Sequence, residues 1–128
     1  MPYITCTVLV TSDVGAQPQQ IFEKIARIFV TQEQLLNLQK AGGDGAGVFT
    51  ALPSVEQSPI LNGLIIATDQ PLNVRTGGVA DGDGIIPLKA GGMVLILDAN
   101  IASGATTNVK VNNVGTSAAT ITGLAGGT

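Results

Sequence analysis

The sequence predicts a mainly β chain, an antiparallel β-sandwich of jelly-roll type with one short α-helix. Three observations predict it. Runs of β-branched and aliphatic residues recur along the chain, about eight of them. Gly, Pro, Asn and Asp separate these runs at roughly 8–12-residue spacing, the rhythm of sandwiches and jelly rolls. One segment, Thr31 to Lys40, departs from that rhythm with a helix-start signature. A length of 128 residues suits one domain, 1–128, ending in a Gly-rich tail over about 123–128. Folding at that size buries about two-thirds of the unfolded chain's surface, enough for a core without staples.

Tyr3 to Val10 alternates, with Ile4, Cys6, Val8 and Val10 the more apolar side, and reads as a first strand. Thr11 to Gly15 ends it, and Gln17 to Gln20 is a polar connector. Ile21 to Val30 fits two periods. Ile21, Ile25, Ile28 and Phe29 make a helical stripe, whereas Phe22, Ala26, Ile28 and Val30 alternate against Glu23 and Arg27. The strand-forming Ile28-Phe29-Val30-Thr31 favours a strand over Lys24 to Val30. Thr31-Gln32-Glu33-Gln34 is a capping box: Thr31 can accept from the Gln34 amide while Gln34 reaches back. Leu35, Leu36 and Leu38 supply an apolar side, Lys40 suits the C-terminal end of the dipole, and Gly42-Gly43 stops the helix.

Gly42 to Gly47 is a Gly-rich loop. It lacks the Lys-Ser/Thr pair of a P-loop and the setting of a dinucleotide turn, so it reads as an exposed turn. Val48 to Leu52 is a short strand closed by Pro53. Asn62-Gly63 between Ile60-Leu61 and Leu64-Ile65 signals a tight hairpin. The densest strand signal follows, Leu64 to Thr68 and Leu72 to Arg75 about the turn Asp69-Gln70-Pro71. Gly77 to Gly84 is a second Gly-rich loop. Its Asp81 and Asp83 could offer oxygens to Ca²⁺, but Ile85-Ile86-Pro87-Leu88 follows where an EF-hand would supply more ligands. Ile85 to Leu88 is a strand, with Pro87 marking an edge or bulge. Lys89 to Gly92 turns the chain into the apolar run Met93 to Leu97, which must be covered on both faces, centrally or at a subunit contact. Asp98 to Thr106 reads as a loop. Asn108 to Asn112 alternates, Val109 and Val111 inward and Asn108, Lys110 and Asn112 outward. Ala118 to Thr122 is the last strand before the tail from Leu124.

Composition excludes several function classes. No histidine exists, so Ser-His-Asp and Cys-His catalysis are excluded and zinc loses its usual ligands. The single Cys6 forms no internal disulfide and has no base to activate it. No acid pair stands in a context that would raise a pKa, so no catalytic residue, cofactor site or metal site is expected. The net charge is −3, and six Lys and Arg are scattered rather than clustered. Direct binding of nucleic acid or of a membrane surface is therefore not expected. The N-terminus lacks a basic region before its short apolar run, so it does not read as a signal peptide, and no run is long enough to span a bilayer. Charged residues are only 12%, about half the ordinary share. Such a surface suits burial against other subunits.

The order of segments from Leu64 onward carries a resemblance. An apolar strand, TDQPLNVR, a Gly/Asp loop, IIPLKAGGMVLIL and TNVKVNNVGTSAATITGLAGG together resemble the small jelly-roll proteins of tailed-phage virions, most of all head decoration (cement) proteins. The resemblance covers roughly the C-terminal half. It implies a homotrimer on the capsid surface, assembled in the host cytoplasm and clamping the major capsid protein without covalent bonds. A tail-fibre, spike or baseplate jelly roll is the alternative within virions, and a carbohydrate-binding sandwich the alternative outside them. The contact residues expected on this reading are Tyr3 and Ile4 in the first strand, Asp44 and Val48 at the first Gly-rich loop, Val79, Asp81 and Asp83 in the second, and Leu124 in the tail.

Overall fold

The structure is a computed structural model and describes residues 3–15, 17, 19–52, 60–75, 85–102 and 109–128, with backbone alone for 32, 60, 61 and 98–102. The described residues are built of strands: β1 Tyr3–Ser12, β2 Gln19–Phe29, β3 Gln32–Lys40, β4 Thr50–Ala51, β5 Ile60–Thr68, β6 Leu72–Arg75, β7 Ile85–Leu88, β8 Met93–Ala102, β9 Lys110–Asn112 and β10 Ala119–Gly127. They form three antiparallel sheets. β1 and β2 are a two-stranded ribbon; β3-β10-β5-β8 and β4-β9-β6-β7 are four-stranded. The two larger sheets share one core. Leu36, Leu64, Ile66, Ala119, Ile121 and Ala125 from the first face Leu72, Val74 and Val111 from the second, with Val109 and Leu52 beside them. Full burial of each large aliphatic contributes about 1.5–3 kcal/mol, so this cluster dominates the stability.

The predicted helix over Thr31–Lys40 is not formed; the segment is β3. It pairs with β10 from Lys40↔Ala119 to Gln32↔Gly127. A period of two explains it: Leu36 and Leu38 reach the core while Leu35 points away from it. A helix here would leave β10 unpaired along one side, and nine ladder positions outweigh a short helix's propensity. Thr31 caps nothing. Its N–H instead donates to the Gly127 carbonyl at 2.8 Å, and its hydroxyl to the same oxygen at 3.4 Å.

Three further expectations are corrected. Asn62-Gly63 is no hairpin turn, because β5 runs straight through it. Where β10 meets β5, Gly126 and Gly127 face Gly63 and Leu61, so Asn62 is the extra residue of a bulge; against β8, Leu61↔Ile101 and Gly63↔Leu97 set residues 98–100 opposite Asn62. Residues 123–127 are no tail but the second half of β10, paired with β3 on one side and β5 on the other. Gly123 allows this. Its φ is +152°, and a Cβ there would collide with the Ile65 carbonyl. The loop expected over Asp98 to Thr106 is not formed as far as Ala102, because β8 continues to that residue; 103–106 lie outside the described residues. The strand reading of Lys24 to Val30 holds within the longer β2, and Val109 and Val111 point inward as their alternation predicts. Asn112, expected outside, is 1% exposed.

Candidate assembly surface

The ribbon β1–β2 is an arm that, among the described residues, meets the sandwich through β2 against β5 and β8. Its register runs from Tyr3↔Phe29 at the base to Ser12↔Gln19 at the far end, with a bulge after Val10. One side of the ribbon carries Ile4, Cys6, Val8 and Val10 opposite Ile28, Ala26, Lys24 and Phe22. At the base, Ile4, Ile28 and Val30 form a second buried cluster with Leu97 and Leu124. Leu97 and Leu124 alternate with the core residues Ile96 and Ala125, so this cluster lies on the outer face of the sheet β3-β10-β5-β8. Gly63 makes the seat. A Cβ there would come within 3.2 Å of Ile28 Cδ1, so the arm sits close against the backbone of Gly63.

Away from the base the arm is bare. Leu9, Ile21, Phe22 and Ile25 are 57%, 62%, 49% and 64% exposed, and Val10 is exposed with them. Ile25 and Leu9 occupy one side of the ribbon and Val10 and Phe22 the other, so both sides carry uncovered apolar groups. A two-stranded hairpin alone is marginally stable in water, and this one exposes groups that water penalises. Between the arm and β8 lies an open cleft of about 240 Å³ bordered by Val8, Phe22, Lys24, Ile25 and Leu97. At the base, Arg27 stacks over the Tyr3 ring at 4.0 Å, and Tyr3 meets Phe29 edge-on at 5.8 Å.

The same outer face continues beyond the arm's seat. The register aligns Leu35, Leu124, Ile65 and Leu95 in one row across all four strands, and Asn37, Thr122, Ala67 and Met93 in the next. Leu35 is 75% exposed, and Met93 and Leu95 are also open to solvent. The arm's base covers the neighbouring row of Gly126, Gly63 and Leu97 and reaches Leu124 of the first row, while Leu35, Leu95 and Met93 stay open.

One end of the sandwich carries a polar clamp. Buried Asn112 donates through Nδ2 to the carbonyls of Gly45 and Val48 at 2.9 and 2.7 Å, and its Oδ1 accepts from Asn73 Nδ2 at 3.1 Å. Asn113 Nδ2 donates to the carbonyls of Lys40 and Ser117. Asp44 accepts the Asn113 N–H at 2.9 Å and pairs with Lys40 at 2.7 Å. The Asn113 amide first, and Lys40 second, hold the Asp44 carboxyl below its ordinary value of 3.8. Gly45, Val48 and Asp44 are thus tied to Asn112 and Asn113, which makes the cluster a brace for the loop 41–48.

Of the expected contact residues, Tyr3 is exposed at the arm's base, whereas Ile4 is buried in the second cluster. Asp44 is engaged in the clamp, Val48 is exposed beside it, and Leu124 is half-buried under the arm's seat. Val79, Asp81 and Asp83 lie outside the described residues. The structure thus brings Ile4 and Leu124 together and leaves Asp44 and Val48 at the loop 41–48. Leu9, Val10, Ile21, Phe22, Ile25, Leu35 and Met93 were not singled out from sequence. Their signal was present: the runs Val8 to Val10 and Ile21 to Ile25 place apolar groups on both sides of a strand. Among the described residues no three His, Cys, Asp or Glu side chains come together as metal ligands, and no helix is long and apolar enough to cross a membrane. No protein-family model, no characterised protein and no solved structure is detectably similar to this chain.

Proposed function

We propose that the chain is a structural virion protein, a decoration (cement) protein that sits on a phage head as a homotrimer against the major capsid protein. The observation that carries this reading is the uncovered arm. Strands of ten and eleven residues with apolar groups on both sides serve no purpose in the sandwich core, and they gain stability when another protein covers them. With charges at 12% the chain has little polar surface to keep such an arm in water, so assembly is its ordinary condition.

The strand order supports the same reading. The pairs β3/β10, β4/β9, β5/β8 and β6/β7 nest within one another along the chain. Rolling up four nested pairs gives the orders β3-β10-β5-β8 and β4-β9-β6-β7, which is a jelly roll, an architecture frequent in virus capsids. Architecture alone does not assign function; the reading draws its support from the arm added to it. The test is cosedimentation. Purified chain mixed with undecorated heads of its phage pellets with them saturably and raises the temperature at which they come apart. Chain left wholly in the supernatant, with heads no more stable than before, sinks the proposal.

A further inference from the structure

We infer that Asn62-Gly63 is a self-modification site under the control of the arm: the asparagine persists while the arm is seated and converts to aspartate and isoaspartate when the arm lifts. This goes beyond the assembly reading and stands whatever covers the arm. Of the seven asparagines, Asn62 is the one followed by glycine; the others precede Leu, Val, Ile or Asn. Glycine has the least hindered backbone nitrogen, because no Cβ crowds its approach to the preceding side-chain amide. The only co-reactant is water. The Gly63 nitrogen gives its proton to hydroxide and attacks Asn62 Cγ, so a new C–N bond closes a cyclic imide. The Cγ–Nδ2 bond breaks, and Nδ2 leaves as ammonia with a proton taken from water, which restores the hydroxide. Water then opens the ring at either carbonyl, leaving aspartate or, with the backbone rerouted through the side chain, isoaspartate. Nothing is oxidised or reduced; one water enters and one ammonia leaves.

The fold supplies both the weak point and its lock. Asn62 is the extra residue of a bulge, where β5 departs from the even ladder that keeps the rest of the strand extended. Closing the imide requires the backbone to turn at Asn62, and a bulge is where a strand bends. Gly63 is held on three sides. It pairs with Leu97 of β8 and with Gly126 of β10, and the arm's buried Ile28 lies over its outer face. Gly63 is itself buried, which keeps hydroxide from its nitrogen. The arm is the weakest of the three covers, since one small cluster of Ile4, Ile28 and Val30 holds it while the two ladders run along the sheet. Lifting it opens the outer face directly beside the bulge. The product then resists being covered again. Asn62 is half-buried with its Oδ1 shielded from solvent, so a carboxylate there is penalised, and isoaspartate lengthens the backbone within the register. Conversion thus records that the arm has left its seat and hinders its return.

The test incubates the full chain in mildly alkaline buffer and follows Asn62 by peptide mass spectrometry that separates asparagine, aspartate and isoaspartate. The samples are wild type, wild type in urea, and Ile28→Asp, which puts a charge into the buried seat and lifts the arm. Conversion is slowest in the folded wild type, at least about tenfold faster in Ile28→Asp and fastest in urea, because the rate follows the open population. Hydrogen exchange checks that β10 of the variant stays protected. Ile4→Ser loosens the same cluster more gently and gives the deciding comparison where Ile28→Asp unfolds the sandwich; it too converts faster than wild type. A wild type that converts as fast folded as in urea overturns the inference. So does an arm variant with β10 protected whose Asn62 converts no faster than that of the wild type. Asn62→Asp installs the product directly: its β1 and β2 amides exchange faster than in the wild type, and unchanged exchange there overturns the hindered return of the arm.

Discussion

The sandwich and the arm are made from similar residues and obey opposite rules. Within the sandwich, Leu64, Ile66, Val74 and Ile121 have no exposed surface, and neighbouring strands fix their register on both sides. In the arm, Leu9, Ile21 and Ile25 are as greasy but lie open, on a ribbon whose outer edges pair with nothing among the described residues. Apolar residues hold the first region together from within, whereas the second waits for something outside. Strand-forming sequence is thus not the same as core-forming sequence, and the number of sides on which a strand is apolar distinguishes them.

Variants break that comparison in graded steps. Ile66→Ala opens a cavity in the shared core and lowers unfolding stability by about 2–5 kcal/mol, measured by denaturant titration. A loss below about 1 kcal/mol shows that the two sheets do not pack as described. Asn112→Ala removes the donor for two loop carbonyls and costs about 2 kcal/mol, with the loop 41–48 exchanging its amide protons faster than the strands. Gly63→Ala pushes against Ile28 and costs about 1 kcal/mol. Its mark is selective: β1 and β2 amides exchange faster while those of β10 do not change.

Acidification acts on the clamp through Asp44. Asp44 has a lowered carboxyl pKa in the fold, so its contribution is complete above its ordinary 3.8 and is lost as the pH falls through the lower folded value. Nuclear magnetic resonance shifts of residues 41–48 should move in that acid range, and Asp44→Asn should abolish the dependence. Leu9→Ser is the smallest effect, within about 0.5 kcal/mol of wild type, because the single chain does not bury Leu9. A larger loss would mean that the arm is already covered.

The strands were legible where alternation met a turn signal on each side, as in Leu72 to Arg75 and Lys110 to Asn112. Thr31 to Lys40 misled because a capping box is a local signal, while the partner that overrode it, β10, lies about ninety residues away along the chain. Asn62-Gly63 misled for a related reason. The same dipeptide serves a hairpin turn or a bulge, and only the strands on both sides decide which. The Gly-rich end looked like a tail because it lacks side chains to pack, yet a backbone free of Cβ atoms lets Gly123 press against Ile65. The assembly surface was legible only as a deficit of charge; which apolar residues stay outside depends on where the arm leaves the sheet.

The place of β10 has a consequence for how the molecule comes into being. β3 and β5 are neighbours only through β10, so neither finds its partner on that side until residues 119–127 have been made. At synthesis rates of about 5–20 residues per second, β3 then spends several seconds with an open edge, a hazard for stray pairing. Closure joins segments far apart in the chain, a topology that folds on the millisecond-to-second scale. Shortening the chain by these nine residues therefore removes the strand that completes the sheet.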